Sequence, residues 1–271
     1  MCILFVYTDP KPPKGGYRLI VASNRDEYYK RPAKQAFRCP HTNIIGGRDM
    51  EPGREGGMWL GLSLKPQMVK FAALLNVTGA PKREAQAGRG PLVYNYLESE
   101  QTATEYIAKL APEQLSAFNL FMLEISNDVI CYHHSNSPED TLTYTGRQFL
   151  AFGNSTPQSP FTKVKIGGEK FQEIVTKHGG NRPQLVHELI QLLKCRDLHL
   201  PDPELQTRAP FGVDFLSAIY VRMEQGGYGT RTHSVILVDD ENNIEFVEHT
   251  MKEPINPQEP QWDVTTIRAK F

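Results

Sequence analysis

A cysteine stands at position 2, directly after the initiator methionine and before the apolar run Ile3–Tyr7. If the methionine is removed, Cys2 carries a thiol and a free α-amino group, with ordinary pKa values of about 8.5 and about 7.7 to 8.0. One residue would then hold a nucleophile together with its own base, because the amine can do the work that histidine does in a Ser-His pair. Alternatively, Cys2 is a small apolar residue at the start of a buried strand, as free cysteines commonly are.

Four polar side chains follow Ser23, after the apolar segment Tyr17–Ala22. Prolines and paired glycines between residues 7 and 16 separate this segment from the first apolar run, which predicts a β-hairpin. The end of the second strand then lies near the start of the first, so Asn24–Glu27 is expected beside Cys2. A solvated loop or an Asx turn is the alternative for such a polar run.

Two asparagines interrupt or end apolar strands further along the chain. Asn76 lies within the predicted strand 69–77, and Asn154 follows the predicted strand that begins at Phe149. A buried amide needs hydrogen-bond partners, so each asparagine is either a satisfied structural residue or a donor directed at a ligand. The glycine-rich stretch 226–234 is a turn that brings Arg231 to the start of a strand.

Composition limits the class of protein. Lys plus Arg (30) nearly balances Asp plus Glu (31) in 271 residues, which argues against nucleic acid or an anionic membrane as partner. No apolar run is long enough to span a bilayer, and we expect neither a signal peptide nor an integral membrane segment. Four scattered cysteines predict a reducing compartment and argue against a cysteine-built zinc site.

The order of patterns along the chain predicts an α+β fold. Strand-like segments occupy both ends and surround helical intervals, including helices over 169–178 and 183–195 and a strand over 215–223. This order favours two stacked, mainly antiparallel sheets with helices packed outside them. No repeat or change of composition separates a second domain, so residues 1–271 are expected to form one domain.

Several motifs, taken together and in order, resemble the NRDE-motif family over essentially the whole chain. The family is named after the sequence Asn24–Glu27. The resemblance implies an αββα sandwich of the N-terminal-nucleophile (Ntn) hydrolase type. It also implies a link to intracellular haem movement, to acyl-lipid or acyl-CoA homeostasis and to Golgi organisation. The motifs are Met1–Ile3, Ala22–Tyr28 with Arg31 and Pro32, Gly56–Gly61, Gly88–Gly90 and Tyr228–Thr232.

At the level of the fold, the chain is also similar to the cysteine Ntn amidases that cleave penicillin V and conjugated bile salts. The similarity implies a nucleophilic Cys2 whose proton passes to its α-amine, with Asp26 orienting that amine. Asn76 or Asn154 would donate to the oxyanion. The arginine that precedes the Asn-x-Asp element in those amidases is replaced here by Ser23.

Four further residues are predicted to bind the substrate, namely Asn24, Arg25, Glu27 and Arg231. Arg25 or Arg231 would lower the thiol pKa or hold an anionic group. The alternative for both arginines is a structural ion pair with Asp26, Glu27 or Asp49.

The same pocket is also compatible with binding without turnover. A small amphipathic ligand, haem or an acyl-CoA or acyl-lipid, would then be carried as cargo, and no cofactor is required. Cys39, which precedes a proline, and the neighbouring His133 and His134 are the weak candidates for a haem ligand. We therefore expect a cytoplasmic protein, associated with mitochondria or the Golgi, that handles haem or acyl lipids. A cysteine amidohydrolase cleaving an amide or thioester is the rival.

Overall fold

The computed structural model describes residues 2–80, 88–111 and 114–271 of the chain. These residues form two compact units. The first unit comprises Met1–Lys30 and Arg147–Lys270, and the second comprises Arg31–Gly146 together with Phe271.

The first unit is built on an antiparallel sheet with the strand order β10-β1-β2-β12-β13-β14, to which β11 adds at β12. Its strands are β1 (Ile3–Thr8), β2 (Tyr17–Tyr28), β10 (Gln148–Phe152), β11 (Arg222–Met223), β12 (Tyr228–Asp239), β13 (Asn243–Met251) and β14 (Trp262–Lys270). Its helices are α3 (Thr162–His178), α4 (Arg182–Leu193), α5 (Pro203–Arg208) and α6 (Val213–Leu216).

Alternation along β1 and β2 creates the apolar face against which α3 and α4 pack. Ile3, Phe5 and Tyr7 lie on this face together with Ile20 and Ala22, as expected for side chains two residues apart on a strand. The helices contribute Val164, Phe171, Leu185 and Leu189 to the same core, which continues into Val235 and Leu237 of β12. Because β2 continues beyond Ala22 with the same period, Asn24 and Asp26 share the face on which the helices lie.

A glycine lets α3 approach β1 closely. A methyl group added at Gly167 would lie 2.5 Å from the Phe5 ring and 3.1 Å from Ile219. We expect Gly167→Ala to lower the free energy of unfolding by about 1 to 3 kcal/mol through overpacking, despite the better helix propensity of alanine.

Chemical denaturation of the two alanine variants, Gly167→Ala and Gly180→Ala, measures this effect. Gly180 is the control because a methyl group added there would meet no heavy atom within 4 Å. Equal stability of the two variants would contradict close packing of α3 on β1.

The second unit is a seven-stranded antiparallel sheet in which the strands follow one another in chain order, β3 to β9. The helices α1 and α2 pack against it, with Leu92, Val93 and Tyr96 beside Phe118 and Leu120 in one core. Its elements are β3 (Ala33–Arg38), β4 (Ile44–Asp49), β5 (Leu60–Lys65), β6 (Met68–Asn76), α1 (Pro91–Glu98), α2 (Ala103–Ile107), β7 (Phe118–Ile125), β8 (Val129–Asn136) and β9 (Glu139–Thr145).

The predicted α+β class, with two antiparallel sheets and helices beside them, is confirmed. The polar segment Asn24–Glu27 is part of β2 rather than a loop, because partners far along the chain satisfy its side chains. The predicted strand 215–223 is wrong. Its first two residues end the short helix α6, residues 217–221 are irregular, and within the segment only Arg222 and Met223 pair with β12. Among the residues that the structure describes, none of the helices combines the length and apolar character needed to cross a bilayer.

Candidate functional site

Pairing of β1 with β2 brings Cys2 next to the polar end of β2. Ile3 is opposite Asn24 in the antiparallel register, and the Ser23 hydroxyl donates to the Ile3 carbonyl at 2.8 Å. Cys2, one residue before Ile3, is therefore level with Arg25 and close to Asp26. The predicted neighbourhood of the thiol and the polar segment is thus present within the first unit.

Asn24 is completely buried, and both of its N–H groups are used. Nδ2 donates to the main-chain carbonyl of Leu193, at the end of α4, at 2.8 Å and to that of Ile219 at 3.0 Å. Its Oδ1 lies 2.6 Å from Nδ1 of His233 on β12. An amide has only two N–H donors, and both bond to main-chain carbonyls here. Asn24 therefore links the sheet to the two segments that cover it, the end of α4 and the residues around Ile219. Its predicted role in substrate binding stays a prediction.

His233 supports Asn24 from the neighbouring strand. The ring is fully buried and stacks on Trp262, with 4.6 Å between ring centroids. Burial holds the pKa of His233 well below its ordinary value. The imidazole is therefore neutral at pH 7, and it can donate from Nδ1 to the Asn24 carbonyl oxygen.

Asp26 is buried beside a bulge in β12. Its carboxylate accepts a 2.6 Å hydrogen bond from the Thr230 hydroxyl, which also accepts from the main-chain N–H of Val221 at 2.9 Å. Burial raises the pKa of Asp26, whereas the charge of Lys163 and the Thr230 hydrogen bond lower it. The structure therefore holds Asp26 in a fixed position close to Cys2, as a carboxyl group that is costly to ionise.

Lys163 is a further charged residue of this site, and no motif or spacing in the sequence predicts it. It is the second residue of α3, it is fully buried, and its Nζ donates to the Ala218 carbonyl at 3.0 Å. Burial lowers its pKa, while Asp26, Cys2 and Asp202 raise it by charge interaction. A lysine is rarely fully buried, so this position marks a candidate functional group.

The Cys2 thiol is shielded although the residue is partly exposed. Burial raises the pKa of the thiol, and the Asp26 carboxylate raises it further. A hydrogen bond from the Asp26 main chain and the charge of Arg25 lower the pKa. Because burial is the largest cause, the thiol is protonated at neutral pH in the absence of a ligand.

The two predicted oxyanion asparagines lie in different units. Asn154 is fully buried, two residues beyond β10. Phe152 pairs with Leu4, so continuing this antiparallel register puts Asn154 level with Cys2. Asn76 is the last residue of β6 in the second unit, where it pairs with Phe118. The oxyanion role of both residues stays a prediction.

Arg231 occupies the extra position of the β12 bulge, because Thr230 pairs with Asp26 and Thr232 pairs with Arg25. Its guanidinium is buried, donates to the Tyr28 carbonyl at 3.0 Å and pairs with Glu253 at 2.8 Å.

The other members of the predicted substrate-binding set lie on β2. Arg25 is buried, whereas Glu27 is partly exposed and accepts from the main-chain N–H of Tyr28 at 2.9 Å. Asp49, a suggested partner of Arg25 or Arg231, forms its ion pair with Arg31 in the second unit. The substrate-binding roles stay predictions.

The weak haem-ligand candidates lie in the second unit. His133 and His134 are buried, and His134 Nδ1 lies 2.9 Å from the Thr141 hydroxyl. Cys39 is partly exposed, and hydrogen bonding by Thr42 lowers its pKa. Within residues 2–80, 88–111 and 114–271, no group of three or more His, Cys, Asp or Glu side chains is placed to hold a metal ion.

A surface cavity of about 300 Å³ opens elsewhere on the first unit. It lies at the opposite end of the sheet, between the start of β2 and the end of β12, and Tyr17, Asp239 and Asn243 line it. Two arginines in its wall, Arg182 and Arg268, both pair with Glu245. Because this network neutralises much of its own charge, the cavity is a weaker candidate site than the surroundings of Cys2.

Comparison with known proteins identifies the family. A family model described as Transport and Golgi organisation 2 matches residues 1–253. The chain is 40% identical over 281 residues to Transport and Golgi organization protein 2 of Drosophila melanogaster, covering 100% of this chain and 99% of that relative. It is 36% identical over 262 residues to the Homo sapiens homolog, covering 93% of each chain. The chain therefore belongs to the Transport and Golgi organisation 2 family.

Proposed function

We propose that this protein binds a small amphipathic compound, an acyl-CoA, an acyl-lipid or haem, and hands it on within the cell. The process is linked to Golgi organisation and secretion, and it takes place in the cytoplasm with access to mitochondria or the Golgi. Membership of a family named for transport supports a handling role. The ligand classes come from the resemblance to the NRDE-motif family and from the chemistry of the site.

One observation carries the proposal: a partly exposed cysteine is backed by buried polar side chains. Cys2 is partly exposed as a residue, whereas Asn24, Asp26 and Asn154 are buried beside it. Burial also raises the pKa of the thiol, so an uncharged group faces an incoming ligand. This supports binding of an uncharged carbonyl or acyl group without covalent reaction.

Calorimetric titration with palmitoyl-CoA and absorbance titration with haem test the proposal. We expect saturable binding of at least one of them, weakened several-fold in Cys2→Ala. Cys195→Ala, which changes another partly exposed cysteine of the first unit, is the matched control and is expected to bind normally. Absence of a saturable signal with both probes would exclude the handling role for these ligand classes.

The second candidate function is hydrolysis of an amide or thioester by Cys2. The juxtaposition of the thiol with Asp26 and Lys163 favours it, because acyl transfer requires a nucleophile and a group that accepts its proton. The thiolate would attack the carbonyl, and a donor such as Asn154 would stabilise the oxyanion.

Release of free CoA from palmitoyl-CoA, together with intact mass of the protein during turnover, measures this activity. The hydrolase candidate predicts a palmitoyl adduct on Cys2 and loss of turnover in Cys2→Ala. Saturable binding of palmitoyl-CoA without an adduct or CoA release would leave the handling role and exclude the hydrolase for this substrate.

A further inference from the structure

The lysine at the start of α3 is buried, and its ammonium group makes few hydrogen bonds to the residues that the structure describes. Lys163 is fully buried, and the ammonium form has three donors, of which one bonds to a described residue, namely to the Ala218 carbonyl. Burial costs the cation more than the charges of Asp26, Cys2 and Asp202 recover, and this cost falls if the amine is neutral. A neutral lysine is a base.

The packing of α3 sets the position of this amine relative to Cys2. Gly167 lies against Phe5 in the middle of β1, and Val164 lies against Gly153, 2.6 Å from the position of an added methyl group. Gly153 follows Phe152, which pairs with Leu4, so Val164 is level with the start of β1. The neighbouring Lys163 therefore sits over the end of the sheet at which Cys2 lies.

One short segment holds the lysine together with the polar residues of β2. The Ala218 carbonyl accepts from Lys163, and the Ile219 carbonyl accepts from Asn24. The Val221 N–H donates to Thr230, which in turn donates to Asp26. Residues 218–221 thus connect the lysine with Asn24 and Asp26 through one segment, and charge interactions link Lys163 with Asp26 and with Cys2.

We propose that Lys163 accepts the proton of the Cys2 thiol and returns it to the leaving group, with Asp26 as the carboxylate that positions and balances the resulting ammonium. This inference rests on the second candidate function, acyl chemistry at Cys2. It goes beyond that function because it supplies a base that does not depend on a free α-amino group on Cys2.

The proton and electron balance of the step is complete. The S–H proton moves to the neutral amine of Lys163, the thiolate forms a C–S bond to the acyl carbon, and the carbonyl becomes an oxyanion. Collapse of this intermediate breaks the bond to the amine or thiol leaving group, which takes the proton from Lys163. Water then cleaves the acyl-Cys2 thioester, with Lys163 accepting the proton of water and returning it to the sulfur.

Alkylation of Cys2 by iodoacetamide, resolved by peptide mass spectrometry, tests the inference without any natural ligand. In Lys163→Met the rate at pH 7 is expected to fall about ten-fold or more, since loss of general-base assistance commonly costs this much. Lys170→Met, in the exposed part of the same helix, is the control and should leave the rate unchanged. Thermal unfolding of both variants reports whether each is folded.

Unchanged alkylation of Cys2 in folded Lys163→Met would overturn the inference, even if the protein hydrolyses palmitoyl-CoA. A reduced alkylation rate without any hydrolysis would support the base and reject the hydrolase for that substrate. Intact mass shows whether Met1 is retained. Normal alkylation of folded Lys163→Met in a protein lacking Met1 would assign the base to the α-amine instead.

The unaltered protein provides a second measurement should Lys163→Met not fold. Two coupled groups titrate in two steps, so the rate of Cys2 alkylation against pH should show two inflections, whereas Cys195 should show one. A single inflection at Cys2, equal to that of Cys195, would overturn the inference. Among the described residues, the charged groups that act on the pair include Asp26 and Arg25 on β2 and Asp202 before α5.

Discussion

Replacing Asn24 by aspartate is expected to lower the free energy of unfolding by about 3 kcal/mol or more, because two buried carbonyls lose their donors. These are the carbonyls of Leu193 and Ile219, to which the Asn24 amide donates. An aspartate has nearly the same shape but no N–H group, and its negative charge would face both oxygens. The end of α4 and the segment around Ile219 would therefore lose their hydrogen bonds to β2.

Asn43→Asp is the matched control, since its Oδ1 only accepts hydrogen bonds from exposed Arg38. We expect its stability to stay within about 0.5 kcal/mol of the unaltered protein, as for most surface changes. Urea or guanidinium denaturation measures both variants. Equal stabilities for the two variants would show that the Asn24 hydrogen bonds do not hold the fold together.

Lowering the pH from 6.5 to 4 is expected to remove about 3 kcal/mol of stability through His133 alone. His133 is buried on β8, and burial lowers its pKa from 6.5 to about 4. The unfolded chain therefore takes up a proton first as the pH falls. The contribution of His133 is complete above about pH 6.5 and is lost by about pH 4.

Denaturation of His133→Gln at pH 7 and pH 4.5 tests this prediction. The variant cannot titrate at this position, so it should lose less stability on acidification than the unaltered protein. His41→Gln, at an exposed histidine, should retain the full loss. A residual pH dependence is expected in every variant, because the pKa of several other histidines is lowered mainly by burial: His134, His199, His233 and His249. Identical profiles for His133→Gln and His41→Gln would contradict the assignment.

The apolar parts of the fold could be predicted from local pattern. Apolar residues alternate along the first strand and recur at helical spacing after residue 162. Each pattern needs only an apolar surface to pack against, so it can be recognised without knowing which element supplies that surface. The strand predicted over residues 215–223 does not form, because β-prone apolar residues also suit a short helix followed by an irregular segment. There, Asn24 and Thr230 satisfy the main chain in place of a strand neighbour.

The site could be predicted only in part, for a related physical reason. Cys2 and the polar end of β2 follow from a hairpin, which is a local structure. The strand character of Asn24–Glu27 depends on partners as distant as Leu193 and His233, and a polar run in isolation favours a loop. Lys163 gave no signal because a single lysine in the first turn of a helix is normally solvated.

Protection of Cys2 from iodoacetamide by palmitoyl-CoA would show whether the ligand site lies at the start of β1. Site-resolved mass spectrometry compares Cys2 with Cys39 and Cys195, the other partly exposed cysteines. We expect saturating palmitoyl-CoA to slow modification of Cys2 and to leave the modification rates of Cys39 and Cys195 unchanged. Saturable binding with Cys2 modified at its original rate would place the ligand elsewhere and contradict the account.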